Sequence, residues 1–295
     1  MSFELFVQNV FNSMTVGSLY ALIAIGYTMV YGILRFINFA HGDVFMVGAY
    51  LIFFAEMLVP WPVAALIAIA GASLLGILVD QTAYRPLREA PRISALISAI
   101  GVSFLLENLA VVVFTGLPRP AVQPAWMVRP IAVGGLRILP LTFLVPLVTA
   151  ALVMGLLYIV YRTRPGLAMR AISRDIETTR MMGVSINRII ALTFGLGSAL
   201  AAAAGIMWAM RYPQIHPYMG VFPGFKAFIA AVVGGIGSIR GAVLGGLLLG
   251  TVEVMAIAFN PTLSGYRDAF AFVLLIVILI FMPTGLLGEK NKDKI

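Results

Sequence analysis

Arg162-Thr-Arg-Pro-Gly-Leu-Ala-Met-Arg-Ala-Ile-Ser-Arg-Asp-Ile-Glu-Thr-Thr-Arg-Met-Met-Gly-Val-Ser-Ile-Asn-Arg188 is the longest charge-dense run in a chain that is otherwise nearly all apolar. Six arginines stand there against two acids, Asp175 and Glu177. Long apolar segments flank the run on both sides, so it lies in water between two membrane spans, and Arg-rich loops of this length stay cytoplasmic. The residues predict one short helix inside it. Ser173 is the expected N-cap, Asp175 and Glu177 fall in the first turn where the helix dipole favours acids, and Gly183 can close the helix in the left-handed conformation. Ile172, Ile176 and Thr179 share a face by i, i+4, i+7 spacing. That ridge, flanked by arginines, suits docking to a cytoplasmic partner. The opposing reading is a solvated loop that merely joins two spans.

Composition settles the class around this loop. Of 295 residues, 61% are hydrophobic and 11% charged, against about 25% charged in a soluble domain. Apolar runs long enough to cross a bilayer recur along the chain, so the expected fold is an all-α integral membrane protein. The net charge of +8 is not a nucleic-acid signature. Much of it falls in three clusters, Arg85/Arg88/Arg92, the 162–188 loop and Lys290/Lys292/Lys294, each at the end of an apolar run as cytoplasmic anchors are. The chain has no Cys and two distant histidines, His41 and His216, so neither thiol chemistry nor a metal site is expected. No basic region precedes the first apolar run, so no removable signal peptide is expected.

In chain order, spans are expected at about 8–34, 43–59, 63–83, 93–115, 140–161, 189–210, 241–259 and 266–282. A shorter apolar segment at 225–237 ends in Gly234-Gly-Ile-Gly-Ser238. That makes about eight full spans and one short discontinuous segment in a single domain, 1–295. Arg35 to Asp43 and Tyr212 to Gly224 are polar, Gly- or Pro-bearing stretches embedded in apolar sequence, and read as helix breaks. Residues 116–139 read as an irregular external loop. With the basic clusters inside, residues 1–161 and 189–288 have opposite orientation. Gly71-Ala-Ser-Leu-Leu-Gly76 resembles Gly245-Gly-Leu-Leu-Leu-Gly250. Broken helices at matching places in inverted repeats are the plan of many transporters, with the pathway between the halves.

Ionisable residues inside spans cost about 2.5–3.5 kcal/mol each at mid-membrane and mark function or pairing. His41, Asp43, Glu107, Lys226 and Glu253 are the candidates, with Asn38 beside them in the first break. Asp80 lies near a basic span end, where it snorkels or pairs with Arg85. Each of these also has a plain structural reading, as one half of a closed pair. No catalytic cluster and no nucleotide-binding G-x-x-x-x-G-K-[ST] motif occur, so neither an enzyme nor a nucleotide hydrolase is expected. Gly234-Gly-Ile-Gly237 is a faint ion-filter lookalike, but the first half has no counterpart.

Several stretches together are similar to one family. Tyr20-Ala-Leu-Ile-Ala-Ile-Gly-Tyr-Thr-Met-Val-Tyr-Gly32, Ile37-Asn-Phe-Ala-His-Gly-Asp43, Leu96-Ile-Ser-Ala-Ile-Gly101, Lys226-Ala-Phe, Gly234-Gly-Ile-Gly-Ser238 and Met282-Pro-Thr-Gly285 resemble the LivH-type permeases, in the right order over nearly the whole chain. Those are membrane subunits of bacterial high-affinity branched-chain amino acid ABC importers. The resemblance implies a multi-pass protein of the bacterial inner membrane, in contact with lipid, beside a LivM-like second permease. It also implies LivG- and LivF-like ATPases that use the ATP, and a periplasmic binding protein that selects the substrate. Glu177-Thr-Thr-Arg-Met-Met-Gly183 has the E-x-x-x-x-x-G spacing of the coupling motif of such permeases, with Thr178 and Thr179 in place of two alanines. The implied ATPase contacts are Arg174, Asp175, Glu177, Thr178 and Gly183. From their rarity in apolar spans, Asn38, His41, Asp43 and Lys226 are the expected pathway residues, with Glu107 and Glu253 as packing or gating partners. Urea, short amides or other amino acids are alternative substrates. A stand-alone, gradient-driven carrier or channel is the alternative class.

Overall fold

Each apolar run is a helix, which keeps its backbone hydrogen bonds inside one segment. The computed structural model describes residues 2–121, 123–133 and 136–288; Lys290, Lys292 and Lys294 lie outside them. Helix α1 spans Phe3–Leu34, with Ser2 as N-cap and Arg35 closing it in the left-handed conformation. After the first break come α2 (His41–Ala55) and α3 (Trp61–Val79), the latter with Pro62 in its first turn, where a missing N–H costs nothing. α3 runs on through a π-helical turn, Asp80–Tyr84, and a tight turn, Arg85–Leu87. α4 covers Arg92–Phe114.

The 116–139 stretch is more ordered than its Pro and Gly content suggested. It holds β1 (Arg119–Pro120), a turn of helix α5 (Ala125–Val128), and a hairpin of β2 (Ile131–Val133) and β3 (Leu136–Ile138). Then come α6 (Pro140–Arg162), α7 (Arg164–Arg174), α8 (Ile176–Met181) and α9 (Ile186–Arg211). In the second break β4 (Gln214–Ile215) pairs antiparallel with β1, so the external loop is hydrogen-bonded to that break. The chain continues with α10 (Val221–Gly234), α11 (Ile239–Phe259), a 3₁₀ turn (Pro261–Tyr266) and α12 (Arg267–Phe281).

Among the described residues seven helices are long and apolar enough to cross a membrane. Two are shorter: α2 has 15 residues and α10 has 14. The segment after the first break, expected as a full span at about 43–59, is the shorter α2. It is short because Glu56 to Val59 form a turn instead of continuing the helix. The two post-break helices therefore match in length.

α1 is the central post, buried on nearly every side from Thr15 to Val30, with α2, α9 and α10 around it. α3 packs along α9 and α2, and α11 packs along α1 and α10. Small residues make this possible. A Cβ on Gly250 would lie 2.3 Å from the Gly17 nitrogen, so α11 and α1 touch backbone to backbone. α4, α6 and α12 turn most of their apolar side chains outward, as helices facing lipid or a partner subunit do. The Gly234–Gly237 run is no filter in this chain. Gly235 takes a positive φ of 106°, and the turn after Met282 docks on it: the Leu286 and Leu287 amides donate to the Val233 and Gly234 carbonyls at 2.9 and 2.8 Å.

Candidate functional site

The two helix breaks meet in the core. A Cβ on Gly220, just before α10, would fall 2.0 Å from the Gly42 carbonyl oxygen in the first turn of α2, so only glycine fits there. The two short helices thus start back to back, with their amide-rich ends inside the protein. Half-helix starts of this kind at mid-membrane are a recurrent feature of transport sites. Tyr27 of α1 lies beside this crossing, its ring 4.8 Å from His41 and 6.0 Å from Phe228.

The polar residues predicted for the pathway are all buried, but they form two clusters instead of one. In the first, Asn38 accepts a 2.6 Å hydrogen bond from the Tyr84 hydroxyl. Asp43 accepts from Ser103 of α4 at 2.5 Å. Glu107, one turn beyond Ser103, is near enough to interact electrostatically with Asp43. His41 packs against Tyr27, and its Nε2 has no hydrogen-bond partner among the described residues. Asp80 is fully buried and pairs with Arg88, not Arg85: both carboxylate oxygens accept from one guanidinium nitrogen, at 2.6 and 2.8 Å. The π-helical turn sets Arg88 over Asp80, and the same guanidinium reaches Asn187 in the first turn of α9 at 2.5 Å.

The second cluster is an ion network around Glu253 of α11. Glu253 is 1% exposed and accepts from the Tyr20 hydroxyl at 2.9 Å, from Lys226 of α10 at 3.2 Å, and from Arg267 of α12. Lys226 also pairs with Asp268 at 2.7 Å, and its ammonium sits 5.9 Å from the centre of the Tyr20 ring. Arg267 donates to the Tyr212 hydroxyl at 3.3 Å. Lys226 and Glu253 stood out in the sequence because charge in an apolar span is rare. Arg267, Asp268, Tyr20 and Tyr212 did not. Charges at a span end are ordinary, and only folding brings residues of α1, α10, α12 and the second break into one network around a carboxylate of α11. Ser103 and Tyr84 were missed for the same reason.

The 162–188 segment differs from its sequence reading in three respects. It contains two helices, α7 and α8, not one. The N-cap of α8 is Asp175: its carboxylate accepts from the Glu177 and Thr178 amides at 2.9 and 3.1 Å, while the Ser173 hydroxyl turns back to the Arg170 carbonyl inside α7. Ile172 and Thr179 are buried, so the anticipated ridge packs inward; the exposed large apolar side chains are Leu167, Met181 and Met182. Arg174, Asp175, Glu177, Thr178 and Gly183 all lie on the exposed side, and Gly183 takes the expected positive φ, 79°. The two threonines that replace alanine bind the cap. The Thr178 hydroxyl donates to the Asp175 carboxylate at 2.5 Å and the Thr179 hydroxyl to the Asp175 carbonyl at 2.6 Å. The Thr178 hydroxyl, with help from the two amides, holds the Asp175 carboxyl below the usual range. A cleft of about 410 Å³, lined by Ile33 to Arg35 and residues 172–177, separates this segment from the end of α1.

Two broken helices crossing in the core, charge buried among apolar spans, and an exposed Arg-rich segment between spans define a multi-pass membrane permease. The chain belongs to the family described as branched-chain amino acid transport system / permease component, whose model matches residues 9–279. Membership makes it a transport component, not an enzyme, and implies partner components. It is 43% identical to the high-affinity branched-chain amino acid transport system permease protein BraD of Pseudomonas aeruginosa, covering 98% of each chain. It is 42% identical to the corresponding LivH protein of Escherichia coli (strain K12), covering 99% of each. Among solved structures, PsaBC from Streptococcus pneumoniae in complex with Fab shares the fold, at a TM-score of 0.50 and 12% identity over 99% of this chain and 95% of that one.

Proposed function

We propose that this chain is one of two membrane subunits of an ATP-driven importer that moves branched-chain amino acids across the bacterial inner membrane. The observation that carries the reading is identity of 42–43% with LivH and BraD over nearly the whole chain. The partners are a LivM-like permease, LivG- and LivF-like ATPases that bind and hydrolyse the ATP, and a periplasmic binding protein. The chain itself needs no cofactor.

The geometry supports a route for coupling. α8 presents Glu177, Thr178 and Arg180 outward on a capped, glycine-terminated turn, a compact lever for an ATPase cleft. Four residues after α8, α9 begins, and Asn187 in its first turn is held by Arg88. Arg88 is clamped to Asp80, and Tyr84 of the same π-helical turn is hydrogen-bonded to Asn38 in the first break. Displacement of α8 is thereby passed to the stretch that starts α2, where the two half-helices cross. Inverted half-repeats at 1–161 and 189–288 are supported by the packing, in which α3 lies on α9 as α11 lies on α1. Gly76 meets Ser198 where Gly250 meets Gly17.

Gentle purification of the chain from its native membrane tests the reading. Recovery with a second permease and two ATPases is the expected result. Recovery alone, or only with copies of itself, under conditions that keep other importers intact, favours a gradient-driven carrier or channel.

A further inference from the structure

The ion network around Glu253 is layered. Its inner layer, Lys226 and Glu253, is buried; its outer layer, Arg267 and Asp268, starts α12, with the Arg267 side chain 37% and the Asp268 side chain 52% exposed. The layers are paired crosswise, Asp268 to Lys226 and Arg267 to Glu253. The inner pair also touches itself at 3.2 Å. Each inner charge has a further partner: the Tyr20 hydroxyl donates to the second Glu253 oxygen, and the Tyr20 ring lies near the Lys226 ammonium. The outer charges can therefore leave without stranding a buried charge, which is the event that makes breaking such a network expensive.

A pure structural clamp would not need this arrangement. Well-packed apolar side chains of similar volume often match or exceed a buried ion pair in stability, and half-exposed ions add little to stability. What the arrangement offers is exchange. A ligand carrying one ammonium and one carboxylate can take Asp268 and Arg267 from their inner partners, while Lys226 and Glu253 close on each other. Net charge is zero before and after. A ligand with only one charge would strand one outer residue.

Resting on the import function proposed above, we propose that Arg267 and Asp268 form a zwitterion-exchange site at the start of α12. Arg267 receives the α-carboxylate of the substrate and Asp268 its α-ammonium. Side-chain size is left to other parts of the machine. The site is for passage, not storage: both residues have competing partners in place, so the substrate is released as readily as it is taken.

The test uses the transporter purified with its partner subunits, reconstituted into vesicles with its binding protein, and reads leucine moved per ATP hydrolysed. Losing one charge-assisted contact in the rate-limiting passage lowers that ratio by about tenfold or more for Arg267→Gln and for Asp268→Asn. Asp268→Glu, which keeps the charge, preserves most of it. A structural defect lowers transport and hydrolysis together and leaves the ratio unchanged; that result overturns the proposal, as does a wild-type ratio in either variant. A wild-type complex that carries a different zwitterion, with the variants still impaired, removes the branched-chain assignment and leaves the exchange site standing. A complex that carries only an uncharged solute such as urea overturns both.

Discussion

The Asp80–Arg88–Asn187 link gives the sharpest quantitative prediction. Asp80 is buried, its side chain 1% exposed, and both its oxygens accept from one Arg88 nitrogen; the Arg88 side chain is itself 15% exposed. Arg88→Ala leaves a carboxylate in the core without its ion-pair partner, which costs about 3–5 kcal/mol. Asp80→Asn leaves the cation instead, but Arg88 reaches the surface and keeps Asn187, so the loss is smaller, about 1–3 kcal/mol. Making both changes at once, Asp80→Asn with Arg88→Ala, removes both charges; the double variant falls well short of the sum of the single losses. The assay is equilibrium unfolding of the purified protein in mixed detergent micelles. An Arg88→Ala loss below about 1 kcal/mol, the level of an exposed ion pair, would refute the reasoning. So would additivity in the double variant, because the two charges would then not be speaking to each other.

Three further outcomes follow from the same structure. Glu177→Arg leaves insertion and abundance unchanged but uncouples substrate uptake from ATP hydrolysis; normal uptake at equal membrane abundance counts against the coupling assignment. Asp175 titrates below the ordinary carboxylate range. The α8 cap is therefore fully present above that range and is lost as pH falls through the depressed value, which a carbon-13 titration of the Asp175 carboxyl in the purified protein reads directly; a normal or raised value removes the cap as its cause. Gly220→Ala forces a methyl group into the Gly42 carbonyl and destabilises by about 1–3 kcal/mol, the range for overpacking. Gly32→Ala, whose Cβ meets nothing nearer than 4.0 Å, is the control expected to behave as wild type.

Most helix positions were legible because the bilayer forbids unpaired backbone: every apolar run had to be helical, and Gly183 and Gly235 mark places where helices stop. The breaks were legible for the complementary reason, since Asn38, His41, Pro217 and Pro223 have no business inside an uninterrupted span. Local hydrogen-bond choices were not. Ser173 and Asp175 both qualify as caps by composition, and the decision went to Asp175 because Ser173 found a carbonyl inside its own helix. The inward turn of Ile172 and Thr179 was hidden because the sequence gives a helix face but not what that face meets. The ion network was half visible. Lys226 and Glu253 were conspicuous in apolar surroundings, but Arg267 and Asp268 looked like an ordinary span end until α12 was laid against α10 and α11.

The most direct measurement of ATP-driven import through this chain with its partners is uptake of labelled leucine into vesicles containing the purified complex, with binding protein inside or outside and ATP on either face. Uptake that requires ATP at the face carrying the 162–188 segment, and binding protein at the opposite face, is the predicted result. Leucine flux driven by its own gradient through this chain alone, unaffected by ATP, would contradict it.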